Sequence, residues 1–185
     1  LTVLLATVNP GEQVIIPAPY WVTYPEQVKL VRGRPVIVLP EPGSLLPSAE
    51  SLLAAVGPRT RAILLNSPNN PSGVVLPESD LATVVEFCEA RGIYLILDDI
   101  YRELVFDGLR LPSPYAFTRF ELDESHVIVV NGVSKLYGMT GLRLGWTVGP
   151  RGLVEAMDKL QSQMTSNPSI LSQAAAEGAL RGDQR

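Results

Sequence analysis

The stretch Val127-Ile128-Val129-Val130-Asn131-Gly132-Val133-Ser134-Lys135 decides how the chain is read. Four β-branched residues run without a polar break, then give way to an amide, a glycine, a hydroxyl and an amine. A strand with one wet face alternates apolar and polar residues, whereas a strand covered on both faces is continuously apolar. The run is therefore an interior strand of a sheet with both faces packed. The same pattern recurs at Val14-Ile15-Ile16, Val36-Ile37-Val38-Leu39, Ala62-Ile63-Leu64-Leu65 and Tyr94-Leu95-Ile96-Leu97, and more weakly at Leu144-Gly145-Trp146-Thr147-Val148.

Helical spacing fills several of the intervals. Leu81, Val84, Val85 and Cys88 fall at i, i+3, i+4 and i+7, with Pro77 near the start and Gly92 just past Arg91. That pattern predicts a helix from about Glu78 to Arg91. A shorter helix is expected over Ser48 to Val56, and Leu1 to Val8 reads as the tail of another. Leu153, Met157, Leu160 and Met164 make an amphipathic stripe, and after Pro168 a further helix is expected from Ile170 to Leu180. Strands alternating with helices define an α/β fold: a mostly parallel mixed sheet with helices on both faces. The proline-rich stretch Leu39 to Pro47 and the stretch Leu109 to Pro114 read as surface loops.

Composition narrows the function classes. The chain has 185 residues, 46% hydrophobic and 18% charged, which is globular. Its formal net charge of -4 argues against a general nucleic-acid footprint. No apolar run approaches the ~20 residues of a membrane helix. The one cysteine, Cys88, permits no internal disulfide and points to a reducing, cytoplasmic setting. It lies on the apolar stripe of its helix and is expected in the core. His126 is the only histidine and reads as a surface residue; no metal site is expected. Neither a dinucleotide G-x-G-x-x-G word nor a phosphate-loop G-x-x-x-x-G-K-[ST] word is present.

In α/β sheets ligands bind beyond the carboxyl ends of the strands. Those ends here carry Pro19-Tyr20-Trp21, then Asn66-Ser67-Pro68-Asn69-Asn70-Pro71-Ser72-Gly73, then Asp98-Asp99-Ile100-Tyr101, then Ser134-Lys135, with Arg143 eight residues beyond the lysine. An aromatic pair, an amide, a carboxylate with a phenol, and a lysine suit pyridoxal 5'-phosphate. Its aldehyde needs an amine for a Schiff base. Its pyridine nitrogen needs a carboxylate to stay protonated and act as an electron sink. Its phosphate suits an arginine fork, and its ring an aromatic face.

In these words and their order the chain resembles the class I/II aminotransferases of the aspartate-aminotransferase fold, fold type I of the pyridoxal-phosphate enzymes. The resemblance extends through Met139-Thr140-Gly141-Leu142-Arg143-Leu144-Gly145 and covers the chain from residue 1 to about residue 180. It implies that Lys135 forms the Schiff base and then serves as general base. It implies that Asp98 pairs with the pyridine nitrogen, Asp99 being the competitor for that role. Tyr101 and Asn70 would hold the 3'-oxygen, Trp21 would stack on the ring, and Arg143 would bind the phosphate with help from Ser134. The implied activity is amino transfer between an amino acid and a 2-oxo acid, by a homodimer with sites at the subunit interface. Two rival readings share the fold: a β-lyase or synthase using the same cofactor, and the effector domain of a transcriptional regulator.

The resemblance also has gaps. Many members carry a phosphate-binding serine three residues before the lysine, where this chain has Gly132. One aspartate-specific branch has an arginine five residues before a Ser-Asn-Pro word, where this chain has Ser162 before Asn167. Residues 1–150 are expected to be a cofactor-binding large domain lacking its N-terminal part, and 151–185 a helical segment leading towards a small domain. On that reading the chain is a fragment, with little activity alone and a tendency to self-associate through uncovered apolar surface.

Overall fold

The computed structural model describes residues 1–184. Six strands form one sheet: β1 (Gln13–Pro17), β2 (Arg34–Val38), β3 (Thr60–Asn66), β4 (Tyr94–Asp98), β5 (Val127–Gly132) and β6 (Gly145–Val148), in the spatial order β2-β1-β3-β4-β5-β6. All neighbours are parallel except β6, which runs antiparallel to β5. The helices are α1 (Thr2–Thr7), α2 (Thr23–Leu30), α3 (Ala49–Ala54), α4 (Glu78–Arg91), α5 (Arg151–Met164) and α6 (Ile170–Arg181). Every expected strand and helix is present.

The continuous apolar runs are explained by the pleat. Ile15, Ile63, Leu65, Leu95, Leu97, Val127 and Val129 join Leu52 of α3 and Leu81, Val84, Val85 and Cys88 of α4 in one core. The alternate residues Val14, Ile16, Ala62, Leu64, Ile96 and Ile128 join Val3 and Leu4 of α1, Tyr24 and Val28 of α2, and Leu153 of α5 in the other. Both sets are almost wholly removed from water, so neither face could tolerate alternation with polar residues. The placement of helices follows the path of the chain. From β1 it steps one way to β2 with α2 on one face, then reverses to β3 and β4 with α3 and α4 on the other. A crossover of fixed hand must change face when its direction reverses. In such sheets ligands usually lie beyond the carboxyl ends of the strands near a reversal of this kind.

Local signals set several element ends. Gly92 takes the left-handed conformation, φ 63°, and closes α4, where a glycine avoids the Cβ penalty. Ser48 caps α3 by accepting from Ser51 N at 3.2 Å. In the proline-rich loop before it, Glu41 accepts from Ser48 Oγ at 2.8 Å and Ser51 Oγ at 2.5 Å, bonds that hold its carboxyl down at about 2.

Three features depart from expectation. The Val36–Leu39 run is not covered on both faces: β2 is an edge strand, and Ile37 and Leu39 are exposed. Helix α2 carries no clear apolar period and contains Pro25, yet proline is tolerated in a first turn because the N–H there has no helical partner. His126 is not a free surface side chain. Its ring lies 5.5 Å from that of Tyr94, and its Nδ1 is 3.3 Å from Glu89, whose carboxylate also accepts from Ser125 Oγ at 2.6 Å and Thr118 Oγ1 at 2.8 Å. Cys88 is fully buried and unpaired, as expected. Among the described residues no helix is long and apolar enough to cross a membrane, and no group of three metal-ligating side chains is gathered.

Candidate active site

The carboxyl ends of the strands meet around a cavity of about 430 Å³. Trp21, Asn70, Asp98, Tyr101, Ser134, Lys135 and Arg143 all line it, so the seven residues singled out from the sequence come together. A second cavity, shared at Trp21, Asp98 and Arg143, continues between α1, α5 and the sheet.

The pleat sends the two aspartates to different surroundings. Asp98 follows Ile96 on the face covered by α1, α2 and α5, and it lines the cavity. Asp99 is buried and is paired instead with Arg102 at 3.5 Å. Arg102 also donates to the carbonyls of Pro112 and Leu111, tying down the following loop. Burial pushes the Asp99 carboxyl up to about 6, with Arg102 opposing.

Asp98 is held at both oxygens. Oδ2 accepts from the Tyr24 hydroxyl at 2.6 Å, and Oδ1 accepts from Ile100 N at 3.2 Å. Burial raises this carboxyl above the ordinary aspartate range; the two hydrogen bonds and the Lys135 ammonium pull it back. The same burial and the neighbouring carboxylate push the Tyr24 phenol far up, so Tyr24 stays a donor. Tyr24 was not among the residues read from the sequence. It stands one helical turn after Trp21, and its ring meets the Trp21 indole edge to face, centroids 5.4 Å apart at 88°. The only sequence signal for it was that spacing, which has meaning once α2 is known to be a helix.

The amine side is built differently. Lys135 is exposed, with Nζ 5.6 Å from the centre of the Tyr101 ring. Arg143 has φ 53°, in the left-handed region that non-glycine residues rarely take, and its Nη1 donates to Thr140 O at 2.9 Å. Such an outlier is sustained where surroundings require a side chain at that place. Gly132 has a steric cause. A Cβ there would lie 2.8 Å from the Leu144 carbonyl oxygen and 3.0 Å from Gly145 Cα, because β5 and β6 close together at this point. A serine cannot replace Gly132 without moving backbone, which leaves Ser134 and Thr140 as the aliphatic hydroxyls on the cavity wall.

The loop after β3 is fastened by its own amides. Asn66 Nδ2 donates to Asp98 O at 2.9 Å, and Asn66 Oδ1 accepts from Asn70 N at 2.7 Å. Asn69 Nδ2 donates to Pro19 O at 3.1 Å. The peptide bonds before Pro19, Pro68 and Pro71 are cis.

A doubly covered sheet whose strand ends present a lysine, a buried carboxylate and an arginine to one cavity is an α/β scaffold of the kind that binds ligands beyond its strand ends. The comparison with known families makes this specific: residues 1–185 match the family described as aminotransferase class I and II, and the chain belongs to that family. It is 43% identical over 184 residues to an aspartate aminotransferase of Rhizobium meliloti (strain 1021), covering 98% of this chain and 44% of the relative. It is 44% identical over 184 residues to an aspartate/prephenate aminotransferase of Cereibacter sphaeroides, covering 98% and 45%. Among solved structures, the aspartate aminotransferase of Rhizobium meliloti superposes with a TM-score of 0.92 at 42% identity, over 99% of this chain and 46% of that one. An aromatic aminotransferase from Pyrococcus horikoshii gives 0.90 at 34% identity, over 99% and 48%. The chain thus spans less than half the length of these relatives.

Proposed function

We propose that the protein transfers an amino group between an amino acid and a 2-oxo acid, using pyridoxal 5'-phosphate. The observation that carries this reading is the meeting of Lys135 and Asp98, 37 residues apart, on the wall of one cavity with Asn70, Tyr101, Ser134, Arg143 and Trp21. The donor set fits the cofactor: an amine, a doubly bonded carboxylate, an arginine with a nearby hydroxyl, and an indole. When bound, the cofactor supplies an electron sink for charge developing at the substrate's α-carbon.

The chain's own residues supply the rest. Lys135 Nζ would hold the cofactor and, once released, take and return the substrate's α-proton. Asp98, with its two oxygens bonded by the Tyr24 hydroxyl and Ile100 N, would sit against the pyridine nitrogen. Asn70 and Tyr101 would donate to the 3'-oxygen. Arg143 and Ser134 would take the phosphate, and Trp21, steadied by Tyr24, would cover the ring.

Aspartate is the first candidate donor, on the names of the relatives. We assign residues 1–150 to a cofactor-binding domain and 151–185 to the helical start of the remainder. We also propose a cytoplasmic homodimer whose partner covers the apolar rim of Leu104, Phe106 and Leu109, exposed beside Asn70 and Tyr101. The test is an amino-transfer assay on the full-length natural polypeptide, with aspartate and a panel of 2-oxo acids including prephenate. Keto-acid product matched by new amino acid supports the proposal. Ammonia release without amino transfer would sink it in favour of a lyase.

A further inference from the structure

We infer that Asn66 and Asn69 are positioning residues, two buried amides that hold the three cofactor-facing loops in register. This rests on the cofactor reading above. Both side chains are almost wholly removed from water, Asn66 at 6% and Asn69 at 5% exposure. Each uses both ends of its amide. Asn66 donates to the backbone of Asp98 and accepts from the backbone of Asn70, so one side chain links the residues assigned to the pyridine nitrogen and to the 3'-oxygen. Asn69 donates to Pro19 O, two residues before Trp21, and accepts from Ser72 N at 3.2 Å and Ser72 Oγ at 2.7 Å. The bond to Pro19 joins the loop after β3 to the loop after β1.

Turn chemistry does not account for this. An asparagine in a turn bonds backbone two or three residues on, as Asn69 does with Ser72. The bonds from Asn66 to Asp98 and from Asn69 to Pro19 span 32 and 50 residues of chain. They join strand ends rather than shape a loop. A side-chain amide offers a donor and an acceptor on one planar group at every pH of interest. An aspartate at 66 could still accept from Asn70 N, but it could not donate to Asp98 O. It would also place a second carboxylate beside a buried one.

The test compares the full-length natural polypeptide with its Asn66→Ala, Asn66→Asp and Asn69→Ala variants. Val84→Ala, in the core on the opposite face, serves as a control that loses stability without touching the loops. Three quantities are read: the melting temperature, the dissociation constant for pyridoxal 5'-phosphate, and the pH midpoint of the bound cofactor's absorbance band. The Asn66 variants are expected to weaken cofactor binding by about 10-fold or more. They should also move the midpoint by about half a pH unit or more. Asn69→Ala should move both in the same direction by less, and it carries the test if an Asn66 variant does not fold. Val84→Ala should lower the melting temperature and leave the other two readings unchanged. Asparagine variants that melt earlier yet keep wild-type affinity and midpoint would overturn the inference alone. An unsubstituted protein that takes up no cofactor would overturn the cofactor reading, and this inference with it.

Discussion

The two sides of the cavity are built on opposite plans. On the acid side, Asp98 has a partner at each oxygen, Tyr24 is packed against Trp21, and Asn66 and Asn69 tie the adjoining loops. On the amine side, Lys135 and Arg143 are exposed, and the Arg143 side chain donates to Thr140 O of the turn that carries it. The difference fits the role proposed for each group. A buried carboxylate near a ring nitrogen must remain charged, so it needs fixed donors to offset desolvation. An amine that exchanges partners needs reach and free rotation, and its position is set by the β5 end and the backbone behind it.

The largest expected effect lies on the open side. In the full-length natural polypeptide, Lys135→Ala should reduce amino transfer by on the order of 10³-fold or more. Its melting temperature should stay within about 2 °C of wild type, since an exposed lysine contributes little to the fold. A large fall in stability would contradict the contrast. On the braced side, activity and stability should fall together. Tyr24→Phe removes the hydroxyl from Asp98 Oδ2, leaving a buried charge short of one donor. Unfolding by denaturant should show a loss of about 1–3 kcal/mol, and steady-state kinetics a loss of about 10-fold or more in kcat/KM.

The buried neighbour Asp99 gives a pH-dependent effect with a defined sign. Its carboxyl lies near 6 in the folded protein against 3.8 for the free group. The unfolded chain therefore releases this proton first, and the group's contribution to stability is lost as pH rises between those values. Asp99→Asn has no such proton. Relative to that variant, wild type should lose on the order of 2 kcal/mol between about pH 4 and pH 7 in paired denaturant melts. A constant difference would show that burial does not govern Asp99. The smallest effect is expected at Ser134. Ser134→Ala should weaken cofactor binding by only about 3-fold, because one hydroxyl on an open wall contributes a modest net hydrogen bond. Its melting curve should be unchanged.

Much of the fold could be read from local pattern. The uninterrupted runs at 14–16, 62–65, 94–97 and 127–130 are buried on both faces, and the 78–91 helix has the stated bounds. Helix α2 escaped because its one turn of contact is made by Tyr24 and Val28, too few apolar positions for a period to register. The site residues were readable because they follow strand ends. Their supports were not: the Tyr24–Asp98 bond spans 74 residues and the Asn69–Pro19 bond spans 50. Neither pairing has a local signature, since sheet order alone brings those segments together. Gly132 is similar. Its lack of a side chain has meaning only against the Leu144 carbonyl, which strand β6 brings opposite it.

The chain contains three lysines, Lys29, Lys135 and Lys159, and of these Lys135 alone lines the cavity that Asp98 also lines. Incubation with pyridoxal 5'-phosphate, borohydride reduction and peptide mass mapping therefore gives a direct reading. The cofactor's added mass should appear on Lys135 and be lost in Lys135→Ala. A label confined to any other lysine of the full-length natural polypeptide, Lys29 and Lys159 included, or none at all, would contradict the assignment of this cavity.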